Sequence, residues 1–153
     1  MKLTAFTDYS LRVLIFLAAD PSRRATIAEI VEAFGVKMNH LTKVVHFLGK
    51  QGWLSTVRGH GGGLRLARVP EDISVGQVVR DTEGAAMPAE CFAEDGGNCA
   101  ISGCCRLRGV LAEAVEAFYA TLDRYTLADL VRNQQSIVRV LNIRPLPQPA
   151  PLR

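Results

Sequence analysis

A glycine-rich run between two short apolar segments constrains the fold of this chain more than any other feature. The run reads Gly59-His60-Gly61-Gly62-Gly63, and the flanking β-type segments are 53–57 and 64–68. This pattern predicts a β-hairpin whose glycine tip allows close approach to another surface, with donors from Arg58, His60 and Arg65. No helix follows the glycines and no Gly-Lys-Ser/Thr ending is present, so the run is a poor match to a nucleotide-phosphate loop.

Three helical patterns precede the hairpin. Apolar residues at i, i+3, i+4 and i+7 predict a helix over 5–19, which Asp20-Pro21 ends. Thr26 and Glu29 form a capping-box pattern that opens a second helix, ending at Gly35. A four-residue turn over 36–39 then leads to a third helix with apolar residues Leu41, Val44, Val45 and Leu48. The order predicts a mainly α fold, with a winged helix-turn-helix domain over residues 1–69.

The other side of the third helix is polar and basic. A helix of this kind fits the major groove of DNA, and a basic hairpin tip fits a neighbouring minor groove. We therefore expect a double-stranded DNA partner, contacted by Thr26, Lys37, Asn39, His40, Thr42, Lys43, His46, Lys50, Arg58, His60, Gly61, Gly62 and Arg65. An ordinary solvated helix surface is the alternative interpretation.

Charge divides the chain at Pro70. The first 69 residues hold ten lysines and arginines against four acidic residues, net +6, whereas the remainder holds eight against eleven, net −3. A basic half favours an anionic partner, although a solvated charged surface would also fit. No apolar run reaches the roughly 18 to 20 residues of a membrane span. With no secretory-signal pattern either, we expect a cytoplasmic protein without a membrane partner.

Four cysteines lie in the acidic half: Cys91, Cys99, Cys104 and Cys105. Cytoplasmic thiols are kept reduced, so clustered cysteines indicate metal binding or redox sensing rather than structural disulfides. The spacing suits three thiolate ligands, with the adjacent Cys104 as an alternative for the last position. Soft thiolates favour zinc or an iron–sulfur cluster. Because this half contains no histidine, a carboxylate or solvent would complete the site. A reversible disulfide without metal stays open.

The second half predicts one connecting element and one long helix. Ser74 caps a short helix within a connecting segment and cysteine loop over 70–105. Apolar positions in steps of four and three then predict a dimerisation helix within 106–135, through Leu107, Leu111, Ala114, Phe118, Thr121 and Tyr125. Thr126 and Asp129 open a further helical turn in the same segment. Residues 136–153 are expected to form a partly disordered tail, since four of the seven prolines lie at its end.

Four motifs together give the chain a resemblance to a known family. They are Leu3-Thr4-Ala5-Phe6-Thr7-Asp8-Tyr9-Ser10-Leu11-Arg12, the wing at 57–64, Cys105-Arg106-Leu107, and Tyr125-Thr126-Leu127-Ala128-Asp129-Leu130. Over about residues 1–132 the chain resembles the iron–sulfur winged-helix regulators of bacteria, and among them the nitric-oxide-sensing repressors. The regulators of cluster biogenesis in this family carry a histidine where this chain has Arg108.

The resemblance implies a homodimer with crossed long helices and one iron–sulfur cluster per subunit, 4Fe-4S rather than 2Fe-2S. The implied ligands are Cys91, Cys99 and Cys105, with Asp8 of the partner subunit. It further implies repression at a two-fold symmetric operator, relieved by nitric oxide, and no enzymatic activity. On sequence grounds alone, Asp8 would instead form an exposed i, i+4 pair with Arg12. The chain departs from the nitric-oxide-sensor pattern in a longer gap between Cys91 and Cys99 and in the additional Cys104.

Overall fold

The computed structural model describes residues 2–57, 59, 61–84, 89, 92, 99–101 and 103–143. In the N-terminal half, helices α1 (Ala5–Ala19), α2 (Ile27–Phe34) and α3 (Met38–Lys50) precede strands β1 (Leu54–Val57) and β2 (Gly63–Leu66). A 3-10 turn (Pro70–Asp72) leads to α4 (Val75–Glu83), α5 (Arg106–Leu122), α6 (Leu127–Leu130) and α7 (Gln134–Val140). The mainly α winged-helix fold predicted from the sequence is confirmed.

Local side-chain contacts explain where the first three helices begin and end. Thr26 and Glu29 form the predicted capping box, and α2 ends at Gly35 in the left-handed conformation, φ +62°. Helix α3 begins earlier than predicted, because the carbonyl of Lys37 accepts from the backbone N–H groups of His40 and Leu41. Its first turn therefore includes Met38 and Asn39, which the sequence placed in the preceding turn.

The two strands pair as an antiparallel hairpin, from Leu54 opposite Leu66 to Val57 opposite Gly63. Each strand is slightly shorter than predicted. The segment before α2 joins this hairpin, because Ala25 and Leu64 exchange two backbone hydrogen bonds of 2.9 and 2.7 Å. Gly63 is required at this junction: its φ is +152°, and a Cβ atom would lie 2.9 Å from the carbonyl oxygen of Ala25. The wing is thus attached to the start of the helix-turn-helix.

One hydrophobic core runs through the described part of the chain. Helix α1 lies at its centre, and the core also contains residues of α3 and of the C-terminal half, namely Ile73, Val78, Leu127 and Ile143. The core is therefore continuous across the domain boundary that the sequence places at residue 69. None of the described helices is long and apolar enough to cross a membrane.

The C-terminal segment differs from its prediction. Helix α7 crosses the predicted boundary at residue 135, the side-chain amide of Gln134 donates to the carbonyl of Ala19, and Ile143 is buried. The prediction of a tail from residue 136 is therefore wrong for 136–143. Its apolar residues Ile137, Val138, Leu141 and Ile143 pack on the core. The prediction of a tail instead relied on the prolines that follow these residues. Residues 144–153 lie outside the described residues.

Candidate nucleic-acid interface and cysteine region

Helix α3 presents one buried and one exposed side. Leu41, Val44, Val45 and Leu48 are buried in the core, as predicted. The exposed residues include the predicted DNA contacts Lys37, Asn39, His40, Thr42, Lys43, His46 and Lys50. Because three lysines and two histidines share this surface, it can donate hydrogen bonds to phosphates and to base edges.

Two of these side chains are already held by neighbours within the chain. The hydroxyl of Thr42 donates to the carbonyl of Met38, one turn earlier in α3, at 3.0 Å. The ring of His40 stacks on Tyr9 of α1, with 6.0 Å between ring centroids. These contacts constrain Thr42 and His40, whereas Lys43 and His46 lie in the exposed middle of the helix.

Arg24 supports the wing, a role that no sequence motif predicted. Its guanidinium donates to the carbonyl oxygen of Gly61 at 2.9 Å, which joins the segment before α2 to the wing tip. Gly61 and Gly62 lie at this tip, and the exposed Arg65 donates to the hydroxyl of Ser55 across the hairpin. The signal available in the sequence was the basic pair that Arg24 forms with its preceding residue. Two further predicted wing contacts, Arg58 and His60, lie outside the described residues.

Thr26 is exposed, but its side chain is used by the capping box. Its hydroxyl accepts from the backbone N–H of Glu29 at 3.2 Å and donates to the carboxylate of the same residue at 3.0 Å. Arg23, which is buried, forms a 2.6 Å ion pair with Glu29. Partial burial alone would raise the pKa of Glu29, but the hydrogen bonds from Thr26 and Arg23 outweigh it, so this pKa is lowered. Thr26 therefore holds the start of α2 in place.

The described cysteines lie at and before the start of α5. Cys105 is the N-cap residue of α5 and is half-buried, while Cys99 and Cys104 are exposed. The thiol of Cys104 donates to the carbonyl of Ile101 at 3.6 Å. Cys91 lies outside the described residues. Within the described ranges, no three His, Cys, Asp or Glu side chains are grouped closely enough to hold a metal ion.

The described groups next to Cys105 carry positive charge. The amino end of α5 carries the partial positive charge of the helix dipole, and Arg106 and Arg108 follow at once. The guanidinium of Arg108 lies 5.7 Å from the ring centroid of Phe92, next to Cys91 in the sequence. Thiolates are soft ligands, and the described neighbours of Cys105 are positively charged, which fits one position of a thiolate-held iron–sulfur cluster.

Asp8 lies on α1 with both carboxylate oxygens bound by Arg12. The guanidinium Nε donates to Oδ1 at 3.1 Å and Nη2 lies 2.8 Å from Oδ2. The same guanidinium contacts the rings of Tyr9 and Phe34, 5.9 and 5.7 Å from their centroids. Within one chain Asp8 therefore forms the i, i+4 pair that was the alternative to a ligand role. Its side chain is 45% exposed, so a partner subunit could reach it.

A further contact joins the start of α1 to the end of α4. The backbone N–H and the hydroxyl of Thr4 both donate to Oε1 of Glu83, at 2.8 and 3.1 Å. Glu83 is the last residue of α4, immediately before the segment that leads to the cysteines. Sequence patterns gave no signal for this contact, because the two residues are far apart in the chain.

Comparison with known proteins gives a consistent family relationship. A family model described as Rrf2, iron-dependent transcriptional regulator, matches residues 3–133. The HTH-type transcriptional regulator NsrR of Bacillus subtilis (strain 168) is 50% identical over 145 residues, covering 94% of this chain and 99% of that protein. The protein of the same name from Geobacillus kaustophilus (strain HTA426) is 47% identical, with the same coverage of both chains.

Solved structures agree with the fold. The structure of T. potens IscR superposes with a TM-score of 0.69 and 25% identity, covering 87% of this chain and 88% of that one. The global cysteine regulator CymR of B. subtilis superposes with a TM-score of 0.70 and 24% identity, covering 87% and 98%. Sequence motifs, architecture and relatives thus lead to one conclusion: the chain belongs to the Rrf2 family of iron-dependent transcriptional regulators, which are not enzymes.

Proposed function

We propose that this regulator is a DNA-binding repressor that senses nitric oxide through an iron–sulfur cluster, and that cluster loss or nitrosylation releases the DNA. The observation that carries the proposal is the position of Cys105. It lies immediately before α5, a long helix whose apolar stripe is not buried within the chain. The same chain presents the exposed basic side of α3. The proposed cluster ligand Cys105 and the proposed dimer contact therefore both belong to α5.

The DNA-binding part of the proposal rests on α3 and the wing. The four apolar residues of α3 are buried, so its basic surface is held rigidly outward. The guanidinium of Arg24 holds the wing tip in place by donating a hydrogen bond to the carbonyl of Gly61. A helix for the major groove and a basic glycine tip for the minor groove are the two parts that winged-helix readers use.

The homodimer part rests on α5. None of the 17 residues of α5 is buried, and Leu107 and Val110 are 59% and 60% exposed. An isolated amphipathic helix of this length is marginally stable in water, so its apolar stripe needs a covering surface. We assign that surface to α5 of a second copy, because the heptad spacing of the stripe is self-complementary.

The proposed cluster is held by Cys91, Cys99, Cys105 and Asp8 of the partner subunit, one per subunit, 4Fe-4S rather than 2Fe-2S. When bound, it would supply iron atoms that react with nitric oxide. Cys105 is preferred over Cys104 because the thiol of Cys104 turns back to the carbonyl of Ile101. A carboxylate is a harder ligand than a thiolate, which makes Asp8 the labile position.

Contacts of α1 connect Asp8 with α3, the helix proposed to enter the major groove. Phe6 packs edge-on against Phe47 of α3, with ring centroids 5.2 Å apart, and Tyr9 stacks on His40. Arg12 is held by Asp8 in the single chain, so use of Asp8 by a partner's site must release Arg12 from that pair. A change in the bonding of Asp8 therefore reaches α3 through direct contacts. A coupling of about 1 to 3 kcal/mol is enough to change operator occupancy several-fold.

The test uses the full chain purified and kept without oxygen. The best-bound duplexes are selected from a random-sequence DNA pool, labelled with a fluorophore, and titrated with protein before and after stoichiometric nitric oxide. We expect a visible charge-transfer absorption that nitric oxide bleaches, with a parallel loss of DNA affinity. Asp8→Ala should weaken this linkage, whereas Asp20→Ala, a matched loss of a carboxylate outside the proposed ligand set, should not.

Two other outcomes would replace the cluster in the proposal. A colourless protein that contains zinc and ignores nitric oxide would indicate a structural zinc site. A colourless, metal-free protein whose DNA binding responds to thiol oxidants would indicate a disulfide sensor that uses the exposed Cys99 and Cys104. Either result would leave the DNA-binding part intact and overturn the sensing part.

A further inference from the structure

Helix α5 is anchored to the rest of the chain near its carboxyl end. Arg80 of α4 donates two hydrogen bonds to Asp123, from Nη1 to Oδ1 at 2.7 Å and from Nη2 to Oδ2 at 2.5 Å. The same guanidinium lies 4.7 Å from the ring centroid of Tyr119, one turn earlier in α5. Bidentate pairing with a stacked ring fixes both the position and the orientation of the guanidinium.

Backbone contacts reinforce this anchor. A Cβ atom at Gly76 would overlap Oδ1 of Asp123 and lie 2.9 Å from its backbone nitrogen, so a glycine lets α5 approach α4 closely. Next to it the N–H of Val75 donates to the carbonyl of Tyr125 at 3.0 Å, and the N–H of Leu127 donates to the carbonyl of Ile73 at 2.8 Å. The carboxyl end of α5 is therefore tied to α4 by side chains and by backbone together.

We propose that Gly76, Arg80 and Asp123 form an elbow, which sets the angle between α5 and the part of the chain that contains α3 and the wing. The proposal rests on the dimer described under Proposed function, in which paired α5 helices join the two bodies. The elbow then determines how far apart the two α3 helices lie, and so the half-site spacing that the dimer accepts. In this scheme Arg80 and Asp123 are positioning residues and do not contact DNA.

Because α5 is long, a small change in its angle displaces its far end by several ångströms. Helix α5 has 17 residues and is about 26 Å long at 1.5 Å per residue. Over that length a rotation of about 10° displaces the far end by roughly 4 to 5 Å, which exceeds the ~3.4 Å rise of one base pair. Two-fold symmetry applies the same rotation to both subunits. A small change at the elbow therefore shifts the preferred spacing by a base pair or more.

The experiment measures spacing preference directly. The best-bound duplex from the random pool is rebuilt with one or two base pairs added or removed between its half-sites, and binding is followed by fluorescence anisotropy. We expect the wild-type protein to prefer one spacing by about tenfold or more. Arg80→Ala should reduce that preference to about threefold or less, because the angle is no longer fixed. The double variant Arg80→Asp with Asp123→Arg should restore a single preferred spacing.

Controls separate the elbow from general damage. Arg124→Ala removes a neighbouring exposed arginine, and it should keep the wild-type preference. Arg80→Lys keeps the charge and loses the bidentate geometry, so it should also flatten the preference, and it provides the test if the alanine variant folds poorly. Thermal unfolding and the visible absorption spectrum check that each variant keeps its fold and its chromophore.

The outcomes distinguish the elbow from the function on which it depends. A wild-type protein without any spacing preference would contradict the two-fold operator in the proposed function. A wild-type preference that Arg80→Ala and Arg80→Lys both retain would overturn the elbow and leave the proposed function standing.

Discussion

Helices α3 and α5 are both amphipathic, yet they differ in the burial of their apolar sides. Helix α3, with 13 residues, buries four apolar side chains in the core of its own chain. Helix α5, with 17 residues, buries none. The same kind of pattern thus gives one helix whose apolar side its own chain buries, and one whose apolar side is left for the second copy in the proposed dimer.

This difference separates two roles along the chain. The recognition surface is formed by a single chain and its order does not depend on a partner. The segment that holds the cysteines leads into α5, so in the proposed dimer assembly and cluster binding would act on each other there.

The largest effect should come from the buried side of α3. Leu48 is fully buried, so Leu48→Ala should lower the free energy of unfolding by about 2 to 5 kcal/mol through lost packing and a cavity. Urea unfolding measures it, and the loss should be the same at low and high protein concentration. Lys43→Ala on the exposed side is the control, with a change within about 0.5 kcal/mol. Equal effects for the two variants would contradict the assignment of faces.

On α5 the corresponding substitution should affect association instead. Leu111→Ala should raise the dimer dissociation constant by about 10- to 100-fold, because the residue belongs to the heptad stripe. Sedimentation equilibrium measures the constant. Glu116→Ala is the matched control: at 100° per residue it lies opposite the stripe, and its effect should be within about twofold. A dimer that resists Leu111→Ala would argue for a different interface.

The wing should depend on Arg24. Arg24→Ala removes the hydrogen bond to Gly61, so the tip is less well fixed, and DNA affinity should fall by about tenfold. Fluorescence anisotropy at constant salt measures the affinity. Arg132→Ala removes another exposed arginine, which pairs with Asp129 away from the wing, and should change it by about twofold or less. Equal losses would show a general charge effect rather than wing positioning.

The smallest effect should come from the ionised cap of α2. Since the pKa of Glu29 is lowered by folding, its charge stabilises the folded state above the unfolded pKa, and this contribution is lost as the pH falls through the folded pKa. Allowing for solvent screening, Glu29→Gln should cost about 0.5 kcal/mol at pH 7. The difference should shrink as the pH falls below the ordinary pKa range of a glutamate and through the lowered folded-state pKa. Urea unfolding across that range measures it, with the exposed Glu32→Gln as control. A difference that persists in acid would rule out the charge as its cause.

Local patterns in the sequence were enough to predict most of the fold. The apolar spacing of α1 and α3, the capping boxes at Thr26 and Thr126, and the wing all depend on residues close together in the chain. The start of α3 was misplaced because a backbone carbonyl at Lys37, rather than a capping side chain, opens the helix. Helix α7 was missed because its stability comes from packing on the core.

The candidate site was predicted less completely, because its contacts are long-range. The exposed basic side of α3 follows from helical periodicity alone. The contacts of Arg24 with Gly61, Thr4 with Glu83, and Arg80 with Asp123 join residues 37, 79 and 43 positions apart. No spacing rule brings such pairs together. Similarly, motif resemblance suggested Asp8 as a ligand, whereas its pairing with Arg12 follows from helix geometry.

Amide hydrogen exchange, followed by mass spectrometry over a range of protein concentrations, most directly tests the contrast between the two helices. Peptides from α3 should be protected to the same extent at every concentration. Peptides from α5 should be protected in the dimer and lose that protection as dilution, or Leu111→Ala, shifts the protein to monomer. Protection of α5 in a protein shown to be monomeric would contradict the requirement for a second copy. Loss of protection in both helices together would contradict the separation of their roles.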